Sequence, residues 1–227
     1  MNWQTLAAVG RLGVVVPICG GVTGMIGAFA GARTIVPLAF VHPYSWLFWA
    51  VFLLVYGPEF RLIARARPEP GQARDTSMAL ILVAGWIGFP VAFIVANWPR
   101  FILVHGQKFW FALGLAVMLL GSQLRRHCFR VLGRYFTGNV KVVDGQTVIQ
   151  EGAYRWIRHP SYTGGMLMYL GSGLALTNWL SSLVMVVCGG LGYAYRVHFE
   201  ERALLGSLGD TYREYMMRTK RFVPFVF

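Results

Sequence analysis

The chain has 227 residues and a formal net charge of +12, with 56% hydrophobic and only 13% charged residues, and its mean hydropathy is +0.52. That excludes an ordinary soluble domain, because several uncharged runs reach the roughly 20 residues needed to cross a hydrocarbon core. It also removes nucleic acid as the reason for the basic charge, since Lys and Arg sit in the stretches between apolar runs, as the positive-inside rule describes. Cys19, Cys128 and Cys188 stand far apart with no paired spacing, so they predict buried small hydrophobes and neither a disulfide framework nor a metal site.

The first apolar run, 12–31, is glycine-rich and interrupted by Pro17. It reads as a first span and not as a cleaved signal. Gly20, Gly21, Gly24, Gly27 and Gly31 recur at three- and four-residue spacing, a pattern that lets helices approach closely and could support self-association. A second span is expected over 36–57, with Tyr44, Trp46, Trp49 and Tyr56 as interfacial rings. Residues 59–77 carry arginines, Pro68, Pro70 and Gly71, and predict a surface helix or loop.

A third span is expected over 78–97 with a kink at Pro90, then a connector over 98–108. A fourth covers about 109–122 and extends in both directions. Residues 123–161 form a long polar insert, and 163–177 and 179–199 form a helical hairpin around Asn178. An amphipathic tail runs from Glu200 to Phe227. The fold class is thus an all-α polytopic membrane protein of five or six transmembrane helices. It divides into N-terminal transmembrane helices (1–122) and a C-terminal core (123–227) that holds the polar insert, the hairpin and the tail.

Basic residues set the orientation. Four lie in 59–77, seven in 123–162, six from Arg196 onward and one, Arg11, near the start, while Arg33, Arg100 and Lys108 fall on the other side. Both termini, the insert and the tail are therefore expected to face the cytoplasm.

Residues that suit chemistry gather in two places. The run Gly152–Gly165 holds Tyr154, Arg155, Trp156, Arg158, His159 and Tyr162 just before a membrane-grade helix. Pro160 lacks an amide donor and restrains His159 towards extended geometry, which predicts a turn and then a helix start with Ser161 as a cap. Upstream, Val140–Val143 and Gln146–Ile149 flank Asp144-Gly145, the pattern of a small β-hairpin. The second concentration is 195–205, where Arg196 and Glu200 share a helix face and Glu201 is turned about 100° away. Charges near the end of a transmembrane helix are costly unless paired or solvated, which makes them functional candidates. The plainer readings stand beside this one: Arg196 snorkelling to the interface, His159 as a turn residue, and Trp156 as an interfacial anchor.

The blocks LGRxFT at Leu132–Thr137, GAYRWIRHPSYTG at Gly152–Gly164, RVHFEERALL at Arg196–Leu205 and YREY at Tyr212–Tyr215 resemble the isoprenylcysteine carboxyl methyltransferase family. They are more loosely similar to the phospholipid methyltransferases. One departure is Ala153, where the family more often has proline. The resemblance implies an S-adenosylmethionine-dependent integral membrane methyltransferase acting on a lipophilic or prenylated acceptor drawn from the bilayer. It implies cofactor contacts from Gln146, Thr147, Val148, Ile149, Tyr154, His159, Pro160, Ser161, Tyr162 and Glu200, with Lys141 aligning only loosely. Arg196 would bind the acceptor, and Arg196, Glu200 and Glu201 make up the catalytic set; Glu201 or His198 would serve as base if the acceptor were an amine. Carboxyl O-methylation is the leading expectation. The alternatives are amine or phospholipid N-methylation, a nicotinamide-dependent reductase of the membrane sterol type, and a non-enzymatic protein whose basic loops bind anionic lipid. No glycine-rich strand–turn–helix of the soluble nucleotide-binding kind occurs.

Overall fold

The computed structural model describes residues 37–65, 76–135, 145 and 147–223. The expected first span, 12–31, lies outside them. Among the described residues five helices carry the fold: α1 (Tyr44–Arg65), α2 (Thr76–Ala96), α3 (Gln107–Leu132), α4 (Pro160–Ala175) and α5 (Trp179–Arg218). Four short 3-10 turns join or precede them. Among the described residues no β-strand forms, and only two isolated bridges occur, Ile102 with Asn178 and Ile157 with Lys220.

The core is a bundle in which α3 packs on α4, α4 on α5, α5 on α2, and α1 on α3. The α3–α4 seam is made by glycines seven residues apart on each helix. A Cβ on Gly121 would lie 2.5 Å from the Gly164 carbonyl oxygen, and one on Gly171 would lie 2.6 Å from that of Gly114. Two antiparallel backbones are therefore in direct contact, and any side chain at these positions would force them apart.

Aromatic rings fill the space between α1, α2, α4 and α5. Trp49 stacks on Phe93 at 5.5 Å and 16°, and Tyr56 meets Phe89 edge-on at 5.2 Å. Only Trp46 among the expected interfacial rings of α1 is strongly exposed, at 72%. Tyr56 is instead a core residue whose hydroxyl is 3.0 Å from Ser172 Oγ. Its expected interfacial role is corrected on that ground: the ring buries and its polar tip finds a partner inside.

The outer faces are as greasy as the core. Leu53, Leu54, Trp86, Ile87, Ile94, Leu120, Val187 and Leu191 are all exposed, and α2 is apolar all round, a surface suited to hydrocarbon and not to water. Among the described residues one helix, α5, is long and apolar enough to cross a membrane; Leu80–Ala96 is a shorter apolar stretch. From Trp179 to the break at Gly209, α5 is about 45 Å long, which exceeds a hydrocarbon core of about 30 Å.

Several expected boundaries move. The span expected over 36–57 begins as a helix only at Tyr44 and continues through Pro58 to Arg65. The polar insert starts ten residues later than expected, because α3 runs unbroken to Leu132 across the 122/123 division. Arg125 and Arg126 are tolerated there because α1 answers them: Arg125 Nε donates to Glu59 at 2.8 Å and Arg126 to the Leu54 carbonyl at 2.6 Å. The hairpin around Asn178 forms as expected. Its side chain caps α5 by accepting from the Ser181 amide at 3.1 Å, while its Nδ2 donates to the Val95 carbonyl at 3.1 Å. The tail is not one continuous helix. Gly209, at φ 54° and ψ −126°, breaks α5, and the chain beyond turns back towards Tyr154 and His159.

Candidate active site

The turn before α4 is built as the proline demands, but with a different cap. Pro160 occupies the first helical position, and His159 is the N-cap, with no side-chain capping bond. Ser161 therefore sits inside the first turn, which corrects the expectation that it caps the helix. Its carbonyl accepts from Arg125 Nη1 at 3.1 Å. The His159 carbonyl serves as cap acceptor, taking the Tyr162 and Thr163 amides at 3.0 and 3.1 Å.

From this start Tyr162 reaches across to α5. Its ring stacks between His159 (5.5 Å, 14°) and Tyr193 (5.0 Å, 26°). Its hydroxyl accepts from Arg196 Nε at 2.9 Å and donates to Glu200 Oε2 at 2.6 Å. Arg196 is 5% exposed, and its Nη1 donates to Ser77 Oγ on α2 at 3.2 Å. A cation, a phenol and a carboxylate thus stand in line on one face of α5. The Glu200 side chain keeps 32% of its surface open, with His159 Nδ1 3.9 Å away.

Glu201, its neighbour, faces elsewhere. Its side chain is 6% exposed and is gripped by Arg158 Nε at 3.0 Å, His159 Nε2 at 3.2 Å and Arg221 Nη2 at 2.9 Å. Burial alone would raise this carboxyl, but the hydrogen bonds from His159, Arg221 and Arg158 outweigh it and hold the group down at about 2. An ionised carboxylate can only accept, so Nε2 of His159 is the donor in this pair.

The chain after α5 closes the same cluster. The amides of Arg158 and His159 donate to the carbonyls of Lys220 and Arg221 at 2.7 and 3.0 Å, and Thr163 Oγ1 donates to the Phe222 carbonyl at 2.8 Å. Tyr215 donates to the Tyr154 carbonyl at 2.6 Å. Tyr154 is buried, which pushes its phenol up, with Cys128 and Glu200 adding to the effect.

Of the residues expected in the site, the structure brings together Tyr154, His159, Pro160, Ser161, Tyr162, Arg196, Glu200 and Glu201. Thr147 is exposed and Val148 and Ile149 half-buried, in irregular chain that belongs to no strand. No described hydrogen bond, ion pair or ring contact joins them to His159, Tyr162 or Glu200. The partner half of the expected hairpin, with Gln146 and Lys141, lies outside the described residues, though Gly145 has the left-handed φ of 71° that a turn there requires. His198 is exposed on α5 and Trp156 is 49% exposed beneath Arg155. Sequence reasoning passed over Ser77, Arg158 and Arg221 as site residues; only Arg158 carried a local signal, its place in the basic turn.

A sequence model of the isoprenylcysteine carboxyl methyltransferase family matches residues 112–206, which takes in α3, the turn at His159 and the Arg196–Glu200–Glu201 face. A probable protein-S-isoprenylcysteine O-methyltransferase of Oryza sativa subsp. japonica is 25% identical over 187 residues, covering 80% of this chain and 96% of that protein. Over those residues the chain is similar to the isoprenylcysteine carboxyl methyltransferase family. Protein-S-isoprenylcysteine O-methyltransferase B of Arabidopsis thaliana is 33% identical over 123 residues, 53% of this chain and 62% of that one. In fold, the chain resembles the solved eukaryotic intramembrane Ras methyltransferase of the same family, with a TM-score of 0.59 and 20% identity over 100% of this chain and 88% of that one. The relatives it resembles are named as methyltransferases, and in this chain the polar face that corresponds to the matched region is assembled from α4, α5 and the returning tail.

Proposed function

We propose that this protein transfers a methyl group from S-adenosylmethionine to the carboxylate of a prenylated cysteine or a closely related lipophilic acid at the cytoplasmic membrane face. The observation that carries the reading is the Tyr162 hydroxyl held between Arg196 and Glu200. It sets a buried cation for the acceptor beside a half-open carboxylate for the donor's ammonium group. The donor set fits that cofactor: Glu200 is ionisable and keeps an open side, and Tyr154, His159, Pro160, Ser161 and Tyr162 surround the α4 start. Gln146, Thr147, Val148 and Ile149 would complete the contacts from the insert.

When bound, S-adenosylmethionine supplies an electrophilic methyl on a sulfonium. The protein's own residues supply position. Arg196 has the planar fork that holds a carboxylate without competing as a nucleophile. An acceptor carboxylate is already ionised at pH 7, so the new O–C bond forms as the S–C bond breaks and no proton needs to move. Orientation and exclusion of water then provide the acceleration. Glu201, tied to three donors, acts by holding His159 and the tail. The exposed apolar faces of α1 to α3 support lateral entry of the prenyl chain and contact with membrane lipid. The excess of Arg and Lys in the insert and tail supports a cytoplasmic site, with five or six spans overall and both ends on that side.

Two variants test the assignment. Isothermal titration is expected to show donor binding lost in Glu200→Ala, by about 100-fold or more, and retained in Arg196→Ala. The Arg196 variant should instead lose transfer of labelled methyl to an N-acetylated S-prenylcysteine. Full donor affinity in Glu200→Ala would remove that residue from the cofactor site. Mass spectrometry of a membrane extract incubated with labelled donor would identify the natural acceptor, and product on an amine would overturn carboxyl methylation.

A further inference from the structure

We infer that Ser77, at the start of α2, is a positioning residue for Arg196 and so helps determine how the acceptor carboxylate is held. The inference rests on the acceptor reading above. Ser77 lies outside residues 112–206, where the family model matches, and outside every sequence block that carried the resemblance. It is 1% exposed, and its hydroxyl accepts from Arg196 Nη1 at 3.2 Å.

This contact is the last step of a fixed register. Helices α2 and α5 run antiparallel and hold the same pairing along their whole contact. Asn178 Nδ2 donates to the Val95 carbonyl at 3.1 Å, and Ser181 Oγ donates to the Ala92 carbonyl at 2.8 Å. Eleven residues further along α5, Gly192 faces Ile81, where a Cβ would come within 3.3 Å of the Ile81 Cα. One turn beyond that pair, Arg196 meets Ser77. Two side-chain bonds to backbone carbonyls anchor one end and a glycine sets the spacing at the other, so α2 acts as a ruler. A side chain that contacts another helix only at its tip would be free to drift; here the receiving hydroxyl cannot.

The consequence is orientational. A guanidinium donates in its own plane, and two fixed acceptors on different nitrogens define that plane. Tyr162 Oη takes Nε and Ser77 Oγ takes Nη1. Removing Ser77 takes away one of these acceptors and loosens the guanidinium plane about its Cδ–Nε bond, which weakens bidentate capture of a carboxylate. Donor binding at Glu200 does not use this bond and should be unaffected.

The test uses the full-length protein in lipid nanodiscs, with S-adenosylmethionine and an N-acetylated S-prenylcysteine as acceptor. In Ser77→Ala the acceptor KM is expected to rise about tenfold, while donor affinity by titration stays within about twofold and the melting temperature holds. Gly192→Ala, which pushes Ile81 away without touching Arg196, should raise acceptor KM in the same direction by a smaller factor. An unchanged acceptor KM in Ser77→Ala, or an equal fall in donor affinity, would overturn the inference while leaving the proposed function intact. A wild-type protein that binds the donor but leaves the prenylcysteine unmethylated would overturn the acceptor reading, and this inference with it.

Discussion

Glu200 and Glu201 are adjacent on one helix and sit in opposite chemical situations. Glu201 is buried, ionised and held by Arg158, His159 and Arg221; Glu200 is one-third open and bonded by Tyr162. The 100° between successive helical residues turns one carboxylate under the returning tail and the other towards the Arg196 face. The contrast teaches that a charge near a membrane boundary is defined by its partners more than by its position. A carboxylate with every lone-pair direction engaged holds the fold, and one left half-open is available to a ligand.

Glu201→Ala is expected to have the largest effect. It leaves Arg158 and His159 buried without their counter-charge, and breaking such a cluster costs roughly 3–5 kcal/mol. A large fall in melting temperature in detergent, together with tail detachment seen as new proteolysis after Arg218, would be observed. A Glu201→Ala protein as stable as wild type would show that the tail is held by its backbone pairing alone.

Acid should act on the same group, with somewhat smaller reach. The folded carboxyl sits at about 2 against an ordinary 4.5. Its contribution is fully present above about 4.5 and is lost as pH falls towards 2, because the unfolded chain takes up the proton first. The total is roughly 3 kcal/mol. Unfolding measured between pH 5 and 2.5 should steepen in wild type and flatten in Glu201→Gln. Equal slopes would place the acid sensitivity elsewhere.

Tyr162→Phe probes the open side of the pair. It keeps the stack on His159 and Tyr193 but removes the hydroxyl that bridges Arg196 and Glu200. Loss of one charge-assisted link on each side should lower kcat/KM by about tenfold with little change in stability. A variant with wild-type turnover would reduce the bridge to a packing feature.

The contrast also shows what was legible beforehand. The hairpin around Asn178 and the pairing of the His159 turn with the Arg196–Glu200 face could be read, because helical periodicity and the order of the motif blocks encode them. The register between α2 and α5 could not, since a bond from Ser77 to Arg196 joins residues more than a hundred positions apart and leaves no local trace. Arg221 was invisible for the same reason: in sequence it is one more basic residue in a basic tail. The extension of α3 beyond 109–122 was expected, but the start of the polar insert was misplaced, because Arg125 looks like its beginning until Glu59 is seen to face it. The seam of Gly114, Gly121, Gly164 and Gly171 did carry a signal, matching seven-residue spacing on two neighbouring helices.

The smallest expected effect is that of Arg221→Ala. Arg221 reaches Glu201 from outside, with its side chain 53% exposed, so water screens the pair and its loss should cost below about 1 kcal/mol. The backbone of the same residue still accepts from the His159 amide at 3.0 Å, and Arg158 and His159 still hold the carboxylate. Donor affinity should therefore remain within about twofold of wild type. A large loss of donor binding in this variant, with stability preserved, would mean that the outer arginine belongs to the open side of the contrast and that the tail takes part in gripping the cofactor.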